Sequence, residues 1–182
     1  MNRNRIWVVL LLVSAVLLGS DGSVCLSQGQ DVSGVIVSTE RQENQFIVHV
    51  RRPDDFKVLL MPAIFDRFGK LMPGLSRESV QTLLGKPRSG TEESETYWQS
   101  SGQYIISFDP AGISTSITMI LPDSHANATE IFNRELLNLI SKPKSGTRMT
   151  LLSESNGSRE EISCVLAGQT LRMLIWQKQP VK

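Results

Sequence analysis

The sequence predicts an α+β fold in which short helices pack on an antiparallel sheet preceded by a β-hairpin. Three observations carry that prediction. From Ile113 to Leu121 the chain alternates, with Ile113, Ile117, Met119 and Leu121 on one side and Ser114, Ser116 and Thr118 on the other. Such alternation marks a strand with one covered and one wetter face. Ser76 to Pro87 reads as a short amphipathic helix with its own start and stop signals. Asn156-Gly157 sits between two strand-like runs, a strong hairpin signal.

Taken in order, the chain opens MNRNR, with Arg3 and Arg5, and continues with the apolar run Ile6 to Leu18 and the small, polar run GSDGS. This is the order of a secretory signal. The apolar run covers 13 residues, short of the roughly 20 that a spanning helix needs, with an uncleaved anchor as the alternative. Small residues offer cleavage at Ser20/Gly22, Ser23/Cys25 or Cys25/Ser27. Cys25 raises a lipid-anchor reading, although Gly22, Ser23 and Val24 precede it where a lipobox carries a Leu-like residue first and a small one last. Residues 1–27 are therefore read as a signal segment, and the mature protein is expected in the periplasm or secreted.

Residues 28–60 form the hairpin region. VSGVIVST and QFIVHV are β-branched and apolar runs around the polar turn ERQEN. In the second run Phe46, Val48 and Val50 share one face, and Ile47 and His49 the other. Residues 61–122 form the next unit. A helix from about Ala63 to Lys70 places Ile64, Phe65, Phe68 and Leu71 on one stripe. In the following helix Ser76 is the N-cap and Glu78 suits the positive end of the dipole. Val80, Leu83 and Leu84 make the apolar stripe, and Gly85 and Pro87 end it. At this length the helix is marginal alone and must be held by packing. ETYWQ, QYIISFD and ISTSITMIL then supply three strands, with Tyr104, Ile106 and Phe108 on the apolar face and Asp109-Pro110-Ala111-Gly112 as a turn.

Residues 123–182 repeat this order. Asn127 is the N-cap of a helix with Glu130 three residues on; Ile131, Leu136, Leu139 and Ile140 give it an apolar surface. RMTLLSES, EEISCVLAG and TLRMLIWQ follow as strands. A gap-free slide of 56 residues brings KPRSGT (from Lys86) onto KPKSGT (from Lys142), and ISFDPAG onto ISCVLAG. Two tandem helix-plus-three-strand units are the expectation this raises.

The run FDRFGKLMPGLSRESVQTLLGKP, then YW, then YIISFDPAGISTSITM, resembles the SmpA/OmlA (BamE) family of small envelope proteins. The residues that carry the resemblance are Gly74-Leu75-Ser76, Val80, Leu83-Leu84-Gly85 with Pro87, Trp98, and Phe108-Asp109 with Gly112. It covers about Phe65 to Met119, leaving the hairpin and the C-terminal unit outside. It implies an α-α-β-β-β unit, which also occurs in tandem in β-lactamase-inhibitor-protein-like folds, and an outer-membrane assembly role.

The residues themselves point away from catalysis. His49 and His125, the only histidines, are not at ligand spacing, and with one thiol they make no recognisable zinc site. Asp54-Asp55, Glu92-Glu93 and Glu160-Glu161 read as solvated charge. Cys164 lies in an apolar run and reads as a buried thiol. KPRSGT follows a helix, so it is a helix-to-strand connector rather than a phosphate loop. A formal net charge of +1 without a basic stripe excludes nucleic acid as the main partner. Tyr97 and Trp98, adjacent on a strand, point to opposite faces; with Tyr104 they are the candidate protein-binding residues. The expected function is a non-enzymatic envelope scaffold without cofactor that binds another envelope protein. It meets the membrane only through the signal segment or a lipid anchor. An inhibitor-like module that binds an extracellular enzyme is the alternative.

Overall fold

The computed structural model describes residues 32, 34–60, 68, 70–122, 132–133, 136, 147–167 and 170–181. Among them run β1 (Ile36–Arg41), β2 (Gln45–Val50), a 3-10 turn (Pro53–Asp55), α1 (Phe56–Leu59) and α2 (Arg77–Leu84). Seven further strands follow: β3 (Ser89–Gly90), β4 (Ser94–Gln99), β5 (Gly102–Phe108), β6 (Ser114–Ile120), β7 (Arg148–Ser155), β8 (Ser158–Ala167) and β9 (Thr170–Pro180).

All nine strands join one sheet in the order β1-β2-β7-β8-β9-β6-β5-β4-β3. The fold is therefore α+β with a dominant sheet. The sheet is mixed, which corrects the antiparallel expectation, because β2 and β7 pair in parallel. The physical reason is connectivity: a tight turn forces its two strands antiparallel, whereas β2 reaches β7 through the long connection 51–147. That connection carries α2 and the meander β3–β6. The hairpin is consequently part of the sheet and not a separate layer.

Register explains the core. Tyr97, Tyr104, Met119, Leu174, Cys164, Met149 and Phe46 stand opposite one another in turn across seven strands. Every one of them is buried. Ile106, Ile117, Trp176, Ile162, Leu151 and Val48 do the same one step along. Trp176 is partly buried and the other five are 0% exposed, so alternation aims one apolar face of the whole sheet at its covering elements. Phe56, Leu59, Leu60, Phe68, Leu71, Val80, Phe132 and Leu136 supply that cover.

Helix α2 forms as its sequence requires. The Ser76 hydroxyl accepts from Ser79 N–H at 3.2 Å, and Gly85 closes the helix at φ 81° with its N–H on the Gln81 carbonyl. Val80 is fully buried and Leu84 packs against the core, but Leu83 is 41% exposed. An eight-residue helix touches the sheet along one narrow line; positions 80 and 84 lie on it and position 83 falls beside it.

The expected faces of β6 hold from Ile117 onward. At the strand's start they exchange: Ser114 is buried and Ile113 is 36% exposed. A register shift between Ser107 and Phe108 accompanies the change. It lets the Ser114 hydroxyl accept from the Gly74 and Leu75 N–H groups at 3.1 and 2.9 Å. The Asn156-Gly157 turn takes φ of 52° and 70°, the two left-handed residues that a two-residue hairpin favours. Of the expected helix at 63–70, only Phe68 and Lys70 are described, and of that around 127–141 only Phe132, Asn133 and Leu136; the rest lie outside the described residues.

Candidate functional site

The β4–β5 hairpin separates the three candidate aromatics. Tyr97 is 1% exposed and Tyr104 2%, so both rings belong to the core. Trp98 is 61% exposed. Adjacent strand residues point to opposite faces, and the buried row through Tyr97 leaves Trp98 facing out.

Three features converge at Trp98. The Arg88 guanidinium lies 5.0 Å from the indole centroid, a cation–π contact. Arg88 and Lys86 are exposed, and neither has an ion-pair partner among the described residues. Both come from KPRSGT, which leads from α2 into β3 as the sequence predicts. On the same sheet face Trp98 continues through Gln103 and Ile120 to Met173, each the cross-strand partner of the one before.

The third feature is backbone. Gln99 pairs with Gly102 across the two-residue turn Ser100-Ser101, which directs the polar groups of Gln99, Tyr97 and Glu95 into β5. Those of Ser94, Thr96 and Trp98 then face β3. The Ser94 carbonyl accepts from Thr91 N–H at 2.7 Å and the Thr96 carbonyl from Arg88 N–H at 2.8 Å. β3, however, spans only Ser89–Gly90, and Pro87, which has no N–H, comes where the chain would meet Trp98. The outward backbone of Trp98 has no backbone partner among the described residues.

Beneath this corner a polar network ties α2 to β4. Glu95, 5% exposed, accepts from Arg77 at 2.8 Å and from Gln81 at 3.1 Å on one oxygen and from the Tyr97 hydroxyl on the other. Arg77 also stacks on Phe108 at 4.3 Å and donates to the Thr91 and Glu92 carbonyls. Burial, and then the Glu95 carboxylate, push the Tyr97 phenol well above its ordinary range. Alternation in SETYWQ already puts Glu95 on the face of Tyr97. That alternation is the signal in the sequence for a buried carboxylate at this position.

The network floors a cleft of about 980 Å³ between the 91–94 loop and the 109–112 turn, lined by Arg77, Glu92, Glu93, Phe108 and Asp109. A cleft of about 350 Å³ elsewhere holds Trp176 between Lys57, Met72, Pro73, Glu160 and Lys178. Trp176 donates to Glu160 at 2.8 Å and meets Phe68 edge-on at 5.4 Å.

The other chemistry-bearing residues remain apart. His49 bonds Glu40 at 3.0 Å, and His125 lies outside the described residues. Cys164 is fully buried, which raises its thiol pKa strongly. Among the described residues no group of three His, Cys, Asp or Glu side chains gathers to hold a metal, and no helix is long and apolar enough to cross a membrane. Comparison with family models, with curated proteins and with solved structures finds no match.

Proposed function

We propose that this chain is a non-enzymatic, exported envelope protein that works as a small protein-binding scaffold or assembly factor, with its contact centred on Trp98. The carrying observation is a large aromatic that is 61% exposed near the end of a strand whose inward residues, Glu95 and Tyr97, are buried. Exposed aromatics of this kind anchor interfaces because they bury much area at low entropic cost. The secretory pattern of the N-terminus and the likeness to SmpA/OmlA proteins support the envelope setting.

The chain also supplies an internal control. We read residues 61–122 and 123–182 as duplicated units. The hairpin pairs Gln99↔Gly102 and Ser155↔Ser158 recur 56 positions apart. Val80 and Leu136, also 56 apart, are both 0% exposed, and the strand order is mirrored about the β6–β9 pair. On this reading position 154 answers to position 98. Glu154 stands there, 3.7 Å from Arg159. The fold is content with a solvated charge at that corner, so the tryptophan in the first unit is not a folding requirement.

Replacing Trp98 by alanine leaves the melting curve within about 0.5 kcal/mol of the parent, as for surface sites generally, and removes the partners captured by cross-linked affinity purification from the envelope. A folded variant with an unchanged set of partners refutes the proposal. Continuity of the sheet across β6 and β9 supports a second reading, an inhibitor-like module that presents its turns to an extracellular enzyme. Inhibition of a secreted hydrolase by the purified chain, unaffected by Trp98→Ala, decides for that reading.

A further inference from the structure

We infer that the Trp98 corner receives an extended, acidic segment of a partner protein, laid beside β4 with its carboxylates on Lys86 and Arg88. The inference rests on the scaffold reading and adds the chemistry of the partner. Three independent features specify it. The indole takes an apolar side chain, with Gln103 and Ile120 continuing the surface. Arg88 lies over the ring at 5.0 Å from its centroid, and Lys86 stands two residues before Arg88 in the same connector. Both are exposed, and no described carboxylate lies within ion-pair distance of either. The outward N–H and C=O of Trp98 have no backbone partner among the described residues.

The last feature selects the class of partner. A lipid surface satisfies cations and an indole, but it offers no matched donor and acceptor for a strand edge. An extended peptide offers both, which is how strands add to sheets. Pro87 and the two-residue length of β3 keep β3 from extending along β4 to fill that place. Charge then sets the composition, since two exposed cations without an ion-pair partner among the described residues favour a segment rich in Asp and Glu over a basic one and speed its encounter.

The test uses the full chain, exported in cells, with p-benzoylphenylalanine in place of Gln103, the cross-strand neighbour of Trp98. After irradiation, mass spectrometry reads the captured segment. The expected product is a stretch of another protein with more Asp and Glu than Lys and Arg. The K86E/R88E double variant lowers its yield about tenfold or more while the melting temperature is unchanged, as expected when attraction turns to repulsion at two positions. Capture of a basic segment, of lipid alone or of a second copy of this chain overturns the inference, and so does an undiminished yield in K86E/R88E. Trp98→Ala separates the two levels. If it abolishes capture and K86E/R88E does not, the scaffold reading stands and the acidic partner is wrong. If neither variant changes capture, both are wrong.

Discussion

Arg77, Glu95 and Tyr97 form a unit whose strength is measurable by a double-mutant cycle. Arg77→Met strands a carboxylate that is 5% exposed. Breaking a buried pair by removing one partner costs about 3–5 kcal/mol. Here the lower end applies, because Gln81 and Tyr97 still donate to Glu95 and the Arg77 side chain is itself 29% exposed. Glu95→Leu is the matching change, and the sheet accepts leucine on this face: Leu151, 56 positions on, is 0% exposed. It leaves the Tyr97 hydroxyl buried without its acceptor, a cost of about 1–3 kcal/mol, and strands Arg77. The double variant removes both charges and retains only the losses outside the pair, at the Tyr97 hydroxyl, the Gln81 amide and the Arg77 contacts to Thr91, Glu92 and Phe108. It therefore costs about as much as one single change, which gives a coupling of about 2–3 kcal/mol. For a protein of this size about 3 kcal/mol lowers Tm by roughly 6–12 °C. Urea unfolding followed by tryptophan emission gives the four free energies. Single effects that add to within about 0.5 kcal/mol refute the account of the network as one unit that fixes β4 to α2.

Three other outcomes are expected. The Tyr97 phenol is raised in the folded state by burial and by Glu95, so its contribution to stability is intact below the unfolded value of about 10 and is lost as pH rises through the folded value. Urea midpoints measured on either side of about pH 10 should fall more steeply with pH in the parent than in Tyr97→Phe. Gly102 has φ 140°, and a Cβ there would run into the Ile120 carbonyl; Gly102→Ala should cost about 2–3 kcal/mol in the same assay. The Ser153 hydroxyl is buried with no hydrogen-bond partner among the described residues, so Ser153→Ala should raise stability by about 1 kcal/mol.

How much of this was legible beforehand divides by range. The Ser76 cap, the Gly85-Pro87 stop and the Asn156-Gly157 turn are local, because a few adjacent residues fix the backbone there. Alternation gave the strands and the split between Tyr97 and Trp98. The parallel β2–β7 pair was not legible, since no residue near either strand encodes a partner about a hundred positions away. The exchange of Ile113 and Ser114 depended on which hydroxyl the Gly74-Leu75 turn would need. At the candidate site the aromatic was readable. The role of Lys86 and Arg88 was not: in one dimension they read as a connector suited to a helix C-terminus, and only pairing of Thr96 with Ser89 brings them beside Trp98.

The outward backbone of Trp98, without a backbone partner among the described residues, matters because the two outer strands of the sheet, β1 and β3, are guarded. β1 has a register irregularity at Val37 and carries Glu40 and Arg41, and β3 is two residues long. Bulges, charges and short strands are the means by which sheets discourage edge-to-edge pairing. An accidental opening would be expected along β1, the longer edge, where Thr39 and Arg41 turn their backbone outward. The opening at Trp98 is instead one residue wide, flanked by cations and roofed by an indole. So narrow an edge gives little affinity from backbone bonds alone and leaves discrimination to the side chains around it. Proline in place of Thr39 tests the contrast. It removes only an outward N–H of β1 and should leave partner capture unchanged, whereas Trp98→Ala should abolish it. Loss of capture with Thr39→Pro in a folded protein would move the docking edge to β1 and refute its placement at β4.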